Sequence, residues 1–105
     1  MYIEFGKDYL RELYEEGKVS DKKHRFQPEI IRGYVKRVQL LKRIKGVEEL
    51  YPLVSLNYEE LKGNKAGVSS VRINNKYRLE FTVRKSLHDE VITVCRLLEI
   101  SNHYK

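Results

Sequence analysis

Between Val71 and Val83 the apolar residues fall at positions 71, 73, 77, 79, 81 and 83. Side chains alternate faces along a strand, so this spacing predicts a β-hairpin whose odd-numbered residues share one face. A three-residue loop of Asn74, Asn75 and Lys76 meets that demand by pairing Ile73 with Tyr77, Arg72 with Arg78 and Val71 with Leu79. A two-residue loop would set Val71 opposite Arg78 and mix the faces. The favoured register leaves two arginines directly opposed, which costs a sheet up to about 1 kcal/mol. A phosphate between the guanidinium groups removes that cost; the alternative is two solvated arginines splaying apart.

The rest of the chain reads around this hairpin. Residues 2–5 suit a short strand, and the helical spacing of Tyr9, Leu10, Leu13 and Tyr14 runs up to Gly17, a residue suited to a left-handed cap. Residues 18–27 are polar and basic and read as a loop. Pro28 then stands where a first-turn proline is tolerated. Ile31, Tyr34, Val35, Val38, Leu41 and Ile44 form the apolar stripe of a second helix, expected to end at Gly46. A further helical turn is expected within 47–53, then a short strand near 56–61, the hairpin strands at 68–73 and 77–84, and a last strand at 90–100. That last strand is apolar on both parities, the mark of a central strand covered on both faces. A leading strand, two helices and a run of strands predict an α+β fold with the helices on one sheet face and the other face left to bind.

At 105 residues the chain fits one compact domain spanning residues 1–105. Its net charge of +6 is distributed in blocks: residues 1–17 sum to −3, 18–45 to +8, 46–61 to −4 and 62–105 to +5. Alternating blocks with a basic excess suit a nucleic-acid or ribosome partner, and also fit a protein that is merely well solvated. The single cysteine, Cys95, rules out an intramolecular disulfide and lies in an apolar run where a thiol packs as a small hydrophobe. Neither a signal-peptide pattern nor an apolar run long enough to span a membrane is present, so a cytoplasmic location is expected.

Several groups suit one kind of chemistry. The segment Lys62-Gly-Asn-Lys-Ala-Gly67 has the glycines and lysines of an anion-cradling turn without the spacing of a nucleotide-binding loop, and a plain turn is the alternative. The chain closes on Asn102, His103, Tyr104 and Lys105. A strand running into this end would present His103 for proton exchange and Tyr104 for proton donation or base stacking; a frayed terminus is the alternative. His24 and His88 read as exposed, no metal-ligand spacing occurs, and no metal or cofactor is expected. These residues suit RNA cleavage by attack of the ribose 2′-hydroxyl on the adjacent phosphate, which needs an acid, a base and cations around a crowded phosphorane. Lys62, Arg72 and Arg78 can supply the charge, and His103, Tyr104 or a lysine can handle protons. Lys65, Lys76, Asn102 and the basic face of the second helix, including Arg32, Lys36 and Arg43, are the expected RNA contacts.

Leu61-Lys-Gly63, Ser70-Val-Arg-Ile73, Tyr77-Arg-Leu-Glu-Phe81 and the terminal Glu-Ile-Ser-Asn-His-Tyr resemble the HigB branch of the RelE/ParE toxin superfamily over most of the chain. The resemblance implies a RelE/ParE-like fold, with strand and helices packed on a small, mostly antiparallel sheet. It also implies a ribosome-dependent mRNA endonuclease held inactive by a cognate helix-turn-helix antitoxin of the HigA type. By motif position, Lys62, Arg72 and Arg78 form its cationic site. Asn102 stands where the family usually has Asp, the His103-Tyr104 order inverts the usual Tyr-His, and Glu59 occupies a position where the family often has histidine. Two other readings stay open: a toxin of the same fold that inhibits DNA gyrase, and an RNA-binding module without catalysis.

Overall fold

The computed structural model describes residues 1–87 and 91–102. The chain begins with β1 (Tyr2–Phe5), followed by α1 (Asp8–Glu16), which stops where Gly17 takes a left-handed conformation at φ 76° and donates its N–H to the Leu13 carbonyl. Most residues pay a steric cost for that conformation and glycine does not. A 3₁₀ turn at Lys22–His24 interrupts the basic loop, and α2 (Pro28–Arg43) starts on its proline. Further 3₁₀ turns at Val47–Leu50 and Val54–Leu56 lead to the two-residue β2 (Glu59–Glu60). After a last turn at Gly63–Lys65 come β3 (Ser69–Arg72), β4 (Tyr77–Leu87) and β5 (Val91–Asn102).

The five strands form one sheet in the order β1-β5-β4-β3-β2, antiparallel except where β1 runs parallel to β5. The hairpin register is the one that residue parity requires, with Arg72 opposite Arg78 and Val71 opposite Leu79. Ile73 donates its N–H to the Tyr77 carbonyl at 2.9 Å, closing the three-residue loop. The Asn74 side chain accepts from the N–H groups of Lys76 and Tyr77, an Asx turn that supplies partners the tight loop lacks.

Both helices pack on the sheet face that carries Val71, Leu79, Phe81, Cys95, Leu97 and Ile100, and meet it through Tyr9, Leu10, Leu13, Tyr34, Val38 and Leu41. Side chains of this kind contribute about 1.5–3 kcal/mol each on full burial, which is why the two amphipathic stripes determine the fold. Gly33 lies against the hairpin; a Cβ there would come within 2.9 Å of the Ile73 Cγ2. The missing side chain therefore lets the hairpin tip approach the middle of α2.

Three expectations need revision. The second helix ends at Arg43, not Gly46, because Ile44 turns extended and buries its side chain. The strand near 56–61 shrinks to Glu59–Glu60, since Leu56 belongs to a 3₁₀ turn and Asn57 adopts φ 44°, a left-handed conformation no strand accommodates. The apolar character of β5 on both parities has two sources: Val94 is buried on the face opposite Cys95, and further along a slip in the ladder changes which parity faces the core. Phe81 pairs with Leu97 while Glu80 pairs with Glu99, so the ladder slips by one residue. That bulge moves the core-facing parity from Cys95 and Leu97 to Ile100. The strand is nonetheless interior, flanked by β1 and β4.

Candidate active site

The even-numbered residues of the hairpin face away from the helices, and Arg78 is their centre. At 2 % exposure it is the largest fully buried side chain among the described residues. Its Nε donates to the Ser70 Oγ at 2.8 Å and its Nη2 to the Ser70 carbonyl at 3.2 Å and to the Asn57 carbonyl. The same Nη2 lies 3.7 Å from the Glu59 carboxylate, which is about half exposed. Strand order explains the convergence: Glu59 pairs with Ser70 across β2 and β3, and Ser70 sits diagonally from Arg78 across β3 and β4. A buried guanidinium needs hydrogen-bond partners and a countercharge close by, and here Ser70 and Asn57 serve Nε and Nη2 while Glu59 supplies the charge.

Glu80, two residues along the same face, is 3 % exposed and takes both oxygens to the Lys65 ammonium at 3.1 and 2.9 Å. Lys65 is thus committed to an internal ion pair that pins the turn after β2 onto the sheet. The far face is not bare, because residues between Asn57 and Lys65 fold over Ser70, Arg78 and Glu80. At the opposite end of the same face, Glu4 of β1 binds Arg84 at 3.1 and 2.8 Å and Arg96 at 3.2 Å. The hydrogen bond from Arg84, with that from Arg96, holds the Glu4 carboxyl below its ordinary range.

The two hairpin arginines face each other in register, but they are not a solvated pair. Arg78 turns inward to Ser70, Asn57 and Glu59 and is not solvated. Arg72 turns outward to the loop, where its Nε donates to the Asn74 carbonyl at 3.2 Å and its Nη2 to the Asn75 side chain. The like charges take different partners within the chain. Lys62 is exposed and caps the turn at Gly63–Lys65. Lys76 is exposed at the hairpin tip, and Asn102 ends β5 opposite Tyr77. Arg32, Lys36 and Arg43 are exposed on α2, on the helical side of the sheet, and do not converge with Arg78. Arg32 and Lys36 border an apolar groove floored by Pro28, Ile31 and Val35. His103 and Tyr104 lie outside the described residues, as does His88.

His24 is not the exposed loop residue that its surroundings in the sequence suggest. Its ring stacks on Tyr9 with centroids 3.7 Å apart and planes 4° from parallel, while Nδ1 contacts the Asp21 carboxylate at 2.7 Å. Tyr9 in turn accepts the Ile100 N–H at 2.9 Å, and burial pushes its hydroxyl up to about 12. Sequence reasoning missed Ser70 and the Asn57 carbonyl as the cradle of Arg78. A hydroxyl two positions before Arg72 on the same parity was the available signal for Ser70. Nothing in the sequence marks a backbone carbonyl. Among the described residues no cluster of His, Cys, Asp and Glu could hold a metal ion.

Comparison with known proteins places this geometry. The family model described as the RelE-like toxin of the type II toxin-antitoxin system HigB matches residues 3–94. Toxin HigB-1 of Vibrio cholerae is 32 % identical over 82 residues, which cover 77 % of this chain and 82 % of that protein. A solved YoeB/ParE toxin from Agrobacterium tumefaciens superposes with a TM-score of 0.58 at 21 % identity, covering 99 % of this chain and 100 % of the other, a likeness of fold. From the extent of the family match and the identity to the Vibrio toxin, the chain belongs to the HigB-like family of RelE-like toxins of type II toxin-antitoxin systems.

Proposed function

We propose that this toxin is a ribosome-dependent mRNA endoribonuclease that works in the cytoplasm and is held inactive by a cognate helix-turn-helix antitoxin. The observation that carries the reading is the Arg78–Glu59 pair on the sheet face turned away from the helices, a fixed cation beside a half-exposed carboxylate. In the proposed reaction the ribose 2′-hydroxyl gives up its proton and attacks the adjacent phosphorus, and the bond from phosphorus to the 5′-oxygen breaks. The products are a 2′,3′-cyclic phosphate and a 5′-hydroxyl. The nucleophile comes with the substrate, so the reaction needs proton transfer and charge stabilisation and no metal.

In this scheme Arg78 stabilises the phosphorane. Its Nε bond to Ser70 holds the guanidinium plane, which is what preorganised charge requires. Substrate reaches it at the Glu59 side, where the ion pair is long and the carboxylate open to solvent. Glu59 then accepts the 2′-hydroxyl proton, and Lys62, exposed on the neighbouring turn, adds positive charge for the message. His103 and Tyr104 remain the candidates for protonating the leaving 5′-oxygen.

The test is cell-free translation with end-labelled message. Wild-type protein is expected to cut at ribosome-occupied codons, and Arg78→Lys, which keeps a buried cation but loses the fixed plane, to lose most cutting while remaining folded. Intact message, with inhibited gyrase in its place, would overturn the proposal.

A further inference from the structure

The strongest unassigned feature lies on the other side of Arg72. Between the hairpin tip and the first half of α2 there is an open cleft of about 800 Å³, whose lining includes Gln27, Arg37, Arg72, Asn75, Lys76 and Tyr77. Three of these are cations, against a single carboxylate, Glu29. Arg37 is the informative one. It projects from α2, is partly buried, and gives its Nε to the Arg72 carbonyl at 2.8 Å. Among the described residues no carboxylate lies within ion-pair distance of it, Glu29 included. Burial lowers its pKa, the sign of a guanidinium deprived of water. A guanidinium has five N–H donors, and among the described residues the one bond from Arg37 is that of its Nε.

Arg72 reinforces the site. Its bonds to Asn74 and Asn75 carry its guanidinium away from Arg78 and onto the rim of this cleft. The Tyr77 ring, braced edge-on by Phe26 at 5.5 Å, supplies an aromatic wall. Fixed guanidinium groups beside an aromatic ring and side-chain amides match the chemistry of single-stranded RNA: a phosphodiester to bind, a base to stack and polar edges to meet.

We infer that the cleft between α2 and the hairpin tip is a second RNA-binding subsite, in which Arg37, Arg72 and Lys76 hold a phosphodiester flanking the one at Arg78. This rests on the proposed nuclease reading for its orientation, but it is a statement about binding. The Arg72 and Arg78 backbones are register partners, so the rim of the cleft stands on the strand beside Arg78, and the inferred path of the RNA runs from the Arg78 face over the hairpin edge into the cleft. The phosphodiester belongs either to the message or to ribosomal RNA.

The test measures binding without cleavage. The probes are a 2′-O-methyl single-stranded oligonucleotide, which cannot be cut, and vacant ribosomes, each titrated at several salt concentrations. Arg37→Gln and Lys76→Ala are each expected to weaken binding about tenfold at low salt, the loss of one charge-assisted contact. Each is also expected to reduce the slope of log affinity against log salt by about 0.7 for a single strand, and Arg37→Lys to restore part of both effects. Loss with the oligonucleotide assigns the cleft to message; loss confined to ribosomes assigns it to ribosomal RNA. Unchanged affinity and slope with both probes, in variants that melt like wild type, overturns the inference. Should Arg37→Gln fail to fold, Lys76→Ala on the exposed loop decides by itself. Weakened binding by a protein that leaves message intact removes the nuclease reading and keeps the cleft; normal cutting with unaltered binding does the reverse.

Discussion

The Ser70 hydroxyl oxygen accepts the Arg78 Nε–H at 2.8 Å, between side chains that are both essentially buried. Removing either partner therefore has two effects, one on the fold and one on the placement of charge. Ser70→Ala leaves a buried charged donor without its acceptor, so a loss of about 1–3 kcal/mol is expected in urea unfolding. Cutting should fall more than that loss of stability accounts for, since the guanidinium plane is freed. Arg78→Ala removes the largest buried side chain and orphans two carbonyls, at a cost of about 3 kcal/mol or more. Lysine is thus the informative substitution at Arg78.

Glu59→Gln separates two roles for the carboxylate. As the proton acceptor it should lower the cleavage rate by about 10²–10⁴ with RNA affinity held or raised. If Glu59 is only a counterion to Arg78, cutting should persist while affinity rises. Single-turnover cleavage together with oligonucleotide binding distinguishes the two, and a normal rate removes Glu59 from the mechanism.

Tyr9 couples α1 to the bulged part of β5 through its bond from the Ile100 N–H. Tyr9→Phe keeps the ring on the His24 stack but abandons that N–H, and should cost about 1–3 kcal/mol. Amide exchange at Ile100 is the local readout; protection equal to wild type there would contradict the expected loss.

Burial pushes the Cys95 thiol up to about 12 from an ordinary value of 9.0, and the Tyr9 hydroxyl up to about 12 from 10.0. Both groups are neutral in the native state at pH values where the unfolded chain begins to ionise. Their contribution to stability is complete below about pH 9 and is lost as pH rises toward 12. Alkaline melts should show this decline, and Cys95→Ala should flatten its first part. At pH 8 the native thiol should resist iodoacetamide until urea unfolds the protein; rapid labelling of the folded state would show that the side chain is not sealed.

Much of this fold was legible in the chain because apolar parity is a strong constraint. The positions of Val71, Ile73, Tyr77 and Leu79 alone determine the hairpin loop and its register. The stripes that predict α1 and α2 lie on the faces they bury, except that Ile30 is buried at the start of α2 while Ile31 and Val35 of the expected stripe border an open groove. What parity does not encode is where a long side chain goes after it leaves its strand. Arg72 and Arg78 have the same parity and facing positions, yet one bonds an asparagine loop and the other a serine and a carbonyl. The choice made by Arg78 depends on residues between Asn57 and Lys65, whose path follows a left-handed asparagine and a lysine reaching over to Glu80. Lys65 illustrates the same limit, since its charge reads as available for RNA in sequence and is bound to Glu80 in the structure. The bulge in β5 was invisible for a related reason: one extra residue changes parity without changing composition.

The order β1-β5-β4-β3-β2 has a consequence for synthesis of the toxin. β1 leaves the ribosome more than 80 residues before its sheet neighbour, Val91–Asn102. Until then β1 has an unpaired edge and β4 lacks one neighbour, so the hairpin cannot be locked against the rest of the sheet. Long-range pairing of this sort is slow and comes late in folding. A nascent chain stalled before residue 91 thus carries the Arg78 strand without the neighbour that backs it, so completion of the sheet waits for the last strand.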